Sequence, residues 1–128
     1  MGTAGERARR VPAPALDLSI VVRVLALVTD LMLASRVEAP LTAAGYEVTV
    51  RGEPGADAGA FDAIVADLEL VDPEAVAAAG PPCLGFYSHV AVETRRRAEA
   101  AGIDLVVPRS RMARELPDLV AGLVPPTT

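Results

Sequence analysis

A single α/β domain on a doubly wound parallel sheet is what this 128-residue sequence predicts, and three observations predict it. Strand-like and helix-like segments alternate from residue 19 to residue 124, as crossover connections require. The main strand-like runs are continuously aliphatic, the pattern of strands covered on both faces. Hydrophobic residues make up 52% of the chain but aromatics only 3%, so the core has to be built from Ala, Val and Leu, which suits helices packed on a sheet.

The elements follow in order. Residues 1–18 carry three arginines, two prolines and little periodicity, and read as a flexible tail; residues 125–128, "PPTT", read as a short frayed end. The folded domain is therefore expected over residues 19–124. "SIVVRVLALV" is a β-branched and aliphatic run and gives the first strand. "DLMLASRVEAPLTAAGYEV" places Leu31, Ala34, Val37 and Leu41 at helical spacing, with Asp30 as N-cap, Pro40 as an expected kink and Gly45 as the terminator. "YEVTV" gives the second strand. The Gly-rich stretch after it leaves room for only a short or degraded helix. "FDAIVADL" is the third strand. "VDPEAVAAAG" is a short helix with Asp72 as N-cap, Pro73 in the first turn and Gly80 at the end. "PPCLGFY", "VAVETRRRAEAAG" and "IDLVV" give strand, helix and strand. "SRMARELPDLVAGL" closes the domain, with Ser110 as candidate N-cap and Pro117 as a kink or restart.

Composition removes several functions. The formal net charge is −5, against general nucleic-acid binding, and all twelve basic residues are arginine, so lysine chemistry is excluded. Charge is uneven: residues 30–79 hold ten acids against two arginines, and residues 93–118 six arginines against five acids. No apolar run approaches the roughly 20 residues that span a bilayer, and a cytoplasmic protein is expected. Cys83 is the single cysteine and reads as a small core residue. His89 is the single histidine, with no second histidine or thiol cluster beside it for a transition metal. "VTDLML" has no glycine, against a dinucleotide fingerprint after the first strand, and "GFYSHV" is not a nucleophile elbow. "TRRRAEA" sends its three arginines in three directions on a helix, so they read as solvated surface.

In doubly wound sheets, sites lie beyond the carboxyl ends of the strands. That edge collects Thr29 and Asp30, then Asp67, then Tyr87, Ser88 and His89, then Pro108, Arg109 and Ser110. With these residues the chain resembles the receiver domains of two-component response regulators over about residues 20–123. The resemblance implies a flavodoxin-like fold with strand order 2-1-3-4-5. It also implies an acidic pair after the first strand, a phosphorylated Asp at the end of the third, a hydroxyl after the fourth and a lysine after the fifth. By position these become Asp30, Asp67, Ser88 or Tyr87, and Arg109. Asp30 and Asp67 would then hold Mg²⁺ for phosphoryl transfer.

The departures are specific. Thr29 stands in place of one acid, Arg109 in place of the lysine, and "LELVDPE" lacks the turn residues usual after the acceptor. They imply a pseudo-receiver with an incomplete phosphoacceptor site, no resident cofactor and no enzymatic turnover. Its partner is expected to be a protein or a second copy, bound through the fourth helix, fifth strand and fifth helix of the family. Two alternatives stay open: a phosphorylatable receiver using Asp67 and Mg²⁺, and an α/β domain binding a small ligand at the same edge. Asp67 itself reads either as acceptor or as a strand-end carboxylate that caps amides or pairs with Arg109. Asp30 reads as a helix cap with or without an ionic role.

Overall fold

The computed structural model describes residues 21–88 and 92–124. The expected tails 1–18 and 125–128, and His89, lie outside the described residues. The elements are β1 (Arg23–Leu27), α1 (Leu31–Ala43), β2 (Glu47–Arg51), a 3₁₀ turn (Ala58–Ala60), β3 (Ala63–Asp67), α2 (Pro73–Ala78), β4 (Cys83–Tyr87), α3 (Val92–Ala101), β5 (Leu105–Pro108) and α4 (Arg109–Leu123). The strands form one sheet in the order β2-β1-β3-β4-β5, and every pairing is parallel. The carboxyl ends of all five therefore share one edge. No helix among the described residues is long and apolar enough to cross a membrane.

Alternation along the strands divides the apolar residues between two layers. Val24, Ala26, Val65, Leu84, Phe86 and Val107 face α1 and α4, where they meet Leu33, Val37, Leu41, Met112 and Leu116. Leu25, Leu27, Ile64, Ala66 and Cys83 face the opposite side, with Phe61, Leu68, Val76, Ala98 and Ile103. Each layer holds one phenylalanine, and the rest is aliphatic. β3 is buried at every position, as its unbroken apolar run predicts. β2, at the edge, is only partly covered.

The second crossover contains no α-helix, in line with the glycine-rich sequence there. Its single 3₁₀ turn is anchored by Arg51, which forms two hydrogen bonds to the Asp57 carboxylate at 2.6 and 2.9 Å. The Arg51 guanidinium also lies 5.3 Å from the Phe61 ring centroid, and that of Arg23 lies 4.7 Å from it.

Several helix expectations are corrected. Helix α4 runs unbroken through Pro117, so that proline starts no new helix, and Pro40 lies inside α1. The N-cap of α4 is Pro108, and Ser110 lies inside the first turn. Asp72 does occupy the N-cap position of α2, yet its side chain makes no capping bond. It pairs instead with Arg97 of α3, which also bonds Glu74 at 2.8 Å, so this cluster fastens α2 to α3. Gly45 and Gly80 follow α1 and α2 with φ of 99° and 112°, the left-handed geometry that glycine takes without strain.

Candidate functional site

The strand ends converge around a hollow of about 450 Å³ lined by Thr29, Asp30, Asp67, Glu69, Leu70 and Arg109. The parallel register delivers these residues: Leu27 of β1 pairs with Ala66 of β3, and Asp67 pairs with Phe86 of β4. Each strand thus releases its polar residues at the same level.

Asp67 ends β3 and is 9% exposed, the one buried charged side chain among the described residues. Its Oδ1 accepts a 3.0 Å hydrogen bond from the Glu69 amide. Burial pushes its carboxyl above the ordinary carboxylate range; the Glu69 amide opposes the rise, the Glu69 charge adds to it, Arg109 opposes it and Asp30 adds to it. Asp30 caps α1, its Oδ1 accepting from the Leu33 amide at 2.9 Å.

Arg109 lines the hollow but, among the described residues, makes no ion pair or hydrogen bond with Asp67 or Asp30. The expected direct clamp on a carboxylate is therefore absent, and Arg109 acts on Asp67 only through its charge. Arg109 is the first residue of α4.

Ser88 follows β4, and both its amide and its hydroxyl donate to Oε2 of Glu69. Glu69 is the site residue that the sequence reading missed. Nothing in "DLEL" marks it, because its role depends on the turn by which the chain leaves β3, closed by Leu70 and Val71 amides donating to the Asp67 carbonyl. Tyr87, the other candidate hydroxyl, ends β4 half-buried. Strand alternation directs it to the same side as Cys83 and Gly85, and it does not line the Asp67 hollow.

The fit to Mg²⁺ is thin. Among the described residues no group of three or more His, Cys, Asp or Glu side chains is placed to hold a metal. The ion would rest on Asp30 and Asp67, each with one oxygen already bonded to a backbone amide, and on water.

Ionising Asp67 works against folding, because the folded state holds that proton more tightly than the unfolded chain. The penalty is absent below the ordinary value of 3.8 and grows as pH rises through the raised folded value. Asp67→Asn, which keeps an acceptor for the Glu69 amide, is expected to be more stable than the parent at pH 7. The difference should shrink toward zero as pH falls to 4. Urea unfolding at the two pH values measures it, and a stability difference that does not change with pH would refute it.

No protein-family model matches the chain, and no curated protein matches it significantly. Solved structures do. A CheY-like response regulator receiver domain protein from Methanospirillum hungatei JF-1 superposes with a TM-score of 0.69 at 20% identity, over 80% of this chain and 92% of its own. The chemotaxis response regulator CheY4 of Vibrio cholerae gives 0.69 at 20% identity, over 81% and 99%. A response regulator protein from Burkholderia multivorans gives 0.61 at 25% identity, over 84% and 98%. With five parallel strands in the order 2-1-3-4-5 and an aspartate closing the third, the chain has the flavodoxin-like fold of CheY-like response-regulator receiver domains.

Proposed function

We propose that the chain is a receiver-like signalling or regulatory domain that works mainly through protein–protein contact, with an incomplete phosphoacceptor site at Asp67. The contact between Glu69 and Ser88 carries this reading. The Ser88 amide and hydroxyl are the donors that would receive phosphoryl oxygens on an acceptor at Asp67, and a carboxylate of the same chain already takes both. The remaining groups point the same way. Thr29 removes one ligand oxygen, Arg109 shares the hollow with Asp67 but makes no bond to it, and burial disfavours the ionised Asp67 that would attack a phosphodonor.

The working surface in this reading is α3, β5 and α4, the equivalents here of the family's fourth helix, fifth strand and fifth helix. Its pairs Arg95–Glu99 and Arg111–Glu115 are exposed and intrahelical, each worth only a few tenths of a kcal/mol, so a partner could exchange them at little cost. The occupant is a protein partner or a second copy of the chain, in a cytoplasmic setting. The domain acts by contact and performs no turnover.

A phosphorylatable receiver is the second reading, favoured by the position of Asp67 beside Asp30 in one open hollow. Intact-mass measurement after treatment with a small phosphodonor and Mg²⁺, with light scattering on the same sample, separates the two. The contact reading expects no adduct and one oligomeric mass before and after treatment. An adduct lost in Asp67→Asn, with a changed oligomeric mass, would establish the second reading instead.

A further inference from the structure

Most arginines among the described residues are neutralised. Arg23 pairs with Glu47, Arg51 with Asp57, Arg95 with Glu99, Arg97 with Asp72 and Glu74, and Arg111 and Arg114 with Glu115. Arg36, Arg96 and Arg109 form no such pair there. Arg96 lines a hollow that also contains Glu93, so a carboxylate is at hand. Arg36 and Arg109 line a different hollow, of about 350 Å³, where α1 meets the start of α4.

Among the described residues no acid lines that hollow, although Glu69, which accepts from Ser88, stands beside its rim. Leu33 and Arg36 come from one side of α1, and Arg109, Ser110, Met112 and Ala113 from α4, with Ser88 at the rim. The spacing is three residues in both helices, so each presents a cation one turn from an apolar residue. Leu33 is 3% exposed and Met112 0%, so they hold the floor from beneath, and the exposed Ala113 supplies the apolar surface that a ligand can reach. In a chain of net charge −5, two unpaired guanidiniums with a nearby hydroxyl and an apolar floor form a local exception. A guanidinium stays charged at all working pH values and suits the planar or tetrahedral oxygens of carboxylate and phosphate. The volume lies at the low end of small-molecule sites, about 300–1,000 Å³.

We infer that this hollow binds a small organic anion: its carboxylate or phosphoryl head lies between Arg36 and Arg109 and accepts from Ser110, and its compact apolar body rests against Ala113 and the edge of Leu33. The hollow adjoins that of Asp67 and shares Leu33 and Arg109 with it, but Asp67 does not line it. It would give the domain a ligand input that needs no phosphodonor.

Titration of the intact chain with phenyl phosphate, benzoate and inorganic phosphate, followed by amide chemical shifts, tests it. Phenyl phosphate or benzoate should saturate, with shifts centred on residues 33–37 and 109–113, and the two probes decide which head group is preferred. Inorganic phosphate, lacking the apolar body, should bind about tenfold more weakly or worse. Arg36→Gln, an exposed change that leaves the fold intact, should weaken the tighter probe by about tenfold or more, the loss of a charge-assisted contact. Asp67→Asn should leave binding unchanged or slightly tighter. Shifts that never saturate, that centre on Asp67 and Asp30, or that persist undiminished in Arg36→Gln would overturn the inference.

Discussion

Phe86→Ala should remove about 3–5 kcal/mol of stability, the range for truncating a buried aromatic side chain in a packed core. Phe86 is 1% exposed and is the single phenylalanine of the α1–α4 layer, among Leu84, Val107, Met112 and Leu116. Those neighbours belong to two strands and a helix, so they cannot collapse together into the space it leaves. A domain of this size has roughly 5–15 kcal/mol in total, and the loss should be visible as a large drop in the urea midpoint. The change should also reach the site, since Phe86 pairs with Asp67 and its carbonyl accepts from the Leu68 amide at 2.9 Å. Phe86→Leu, which keeps most of the volume, should cost well under half as much. A loss below about 1 kcal/mol for Phe86→Ala would mean that the layer is not packed as described.

Gly85→Val is the second large expected effect, and its cause is the opposite one. A Cβ at position 85 would lie 2.7 Å from Leu68 Cδ1 and 2.8 Å from both Cδ2 and Cγ. Three atoms of one side chain are struck at once, and Leu68 is only 7% exposed, so a simple rotamer change does not clear the space. The expected cost is about 2–3 kcal/mol, with displacement of Leu68 and of the adjacent Asp67 and Glu69. The second change Leu68→Ala makes the explanation testable. If the clash is with Leu68, the double variant should be more stable than the sum of the two single losses predicts. Strict additivity would assign the damage elsewhere.

The fold was largely written in local patterns. The aliphatic cores at residues 24–28 and 63–66 could be read as buried strands because nothing polar interrupts them, and Asp72, Pro73 and Gly80 bracket α2 with recognised start and stop residues. The degraded second crossover was legible from its glycines. Where local reading failed, packing decided. Pro40 lies in the last turn of α1 and Pro117 in the middle of α4, and both helices keep their apolar faces on the sheet despite the missing donors. The cap of α4 fell to Pro108 because β5 runs directly into the helix, leaving Ser110 too far along the chain to precede it.

The candidate site was legible to the level of which residues share an edge, since the alternation of strand and helix implies parallel strands whose carboxyl ends lie together, while the strand order came from the resemblance. What it does with its charges was not. That Glu69 reaches Ser88 depends on a turn and on a loop 19 residues away. That Arg109 shares a hollow with Asp67 without bonding it is a matter of side-chain placement, which no local pattern encodes. That Arg36 and Arg109 lack carboxylate partners among the described residues is visible only when the arginines there have been placed in space.

The two faces of the sheet are covered unequally, with helices of 13 and 15 residues on one and a three-residue turn, a six-residue helix and a ten-residue helix on the other. Opening free energies within one protein follow buried contact, so the thinly roofed face is the one that breathes. Amides of α2 and the 3₁₀ turn would exchange with solvent water through partial openings that leave α1 and α4 seated. The molecule is thus expected to behave as a rigid plate with a looser cover, and the chain leaving Asp67 for α2 runs from the one into the other.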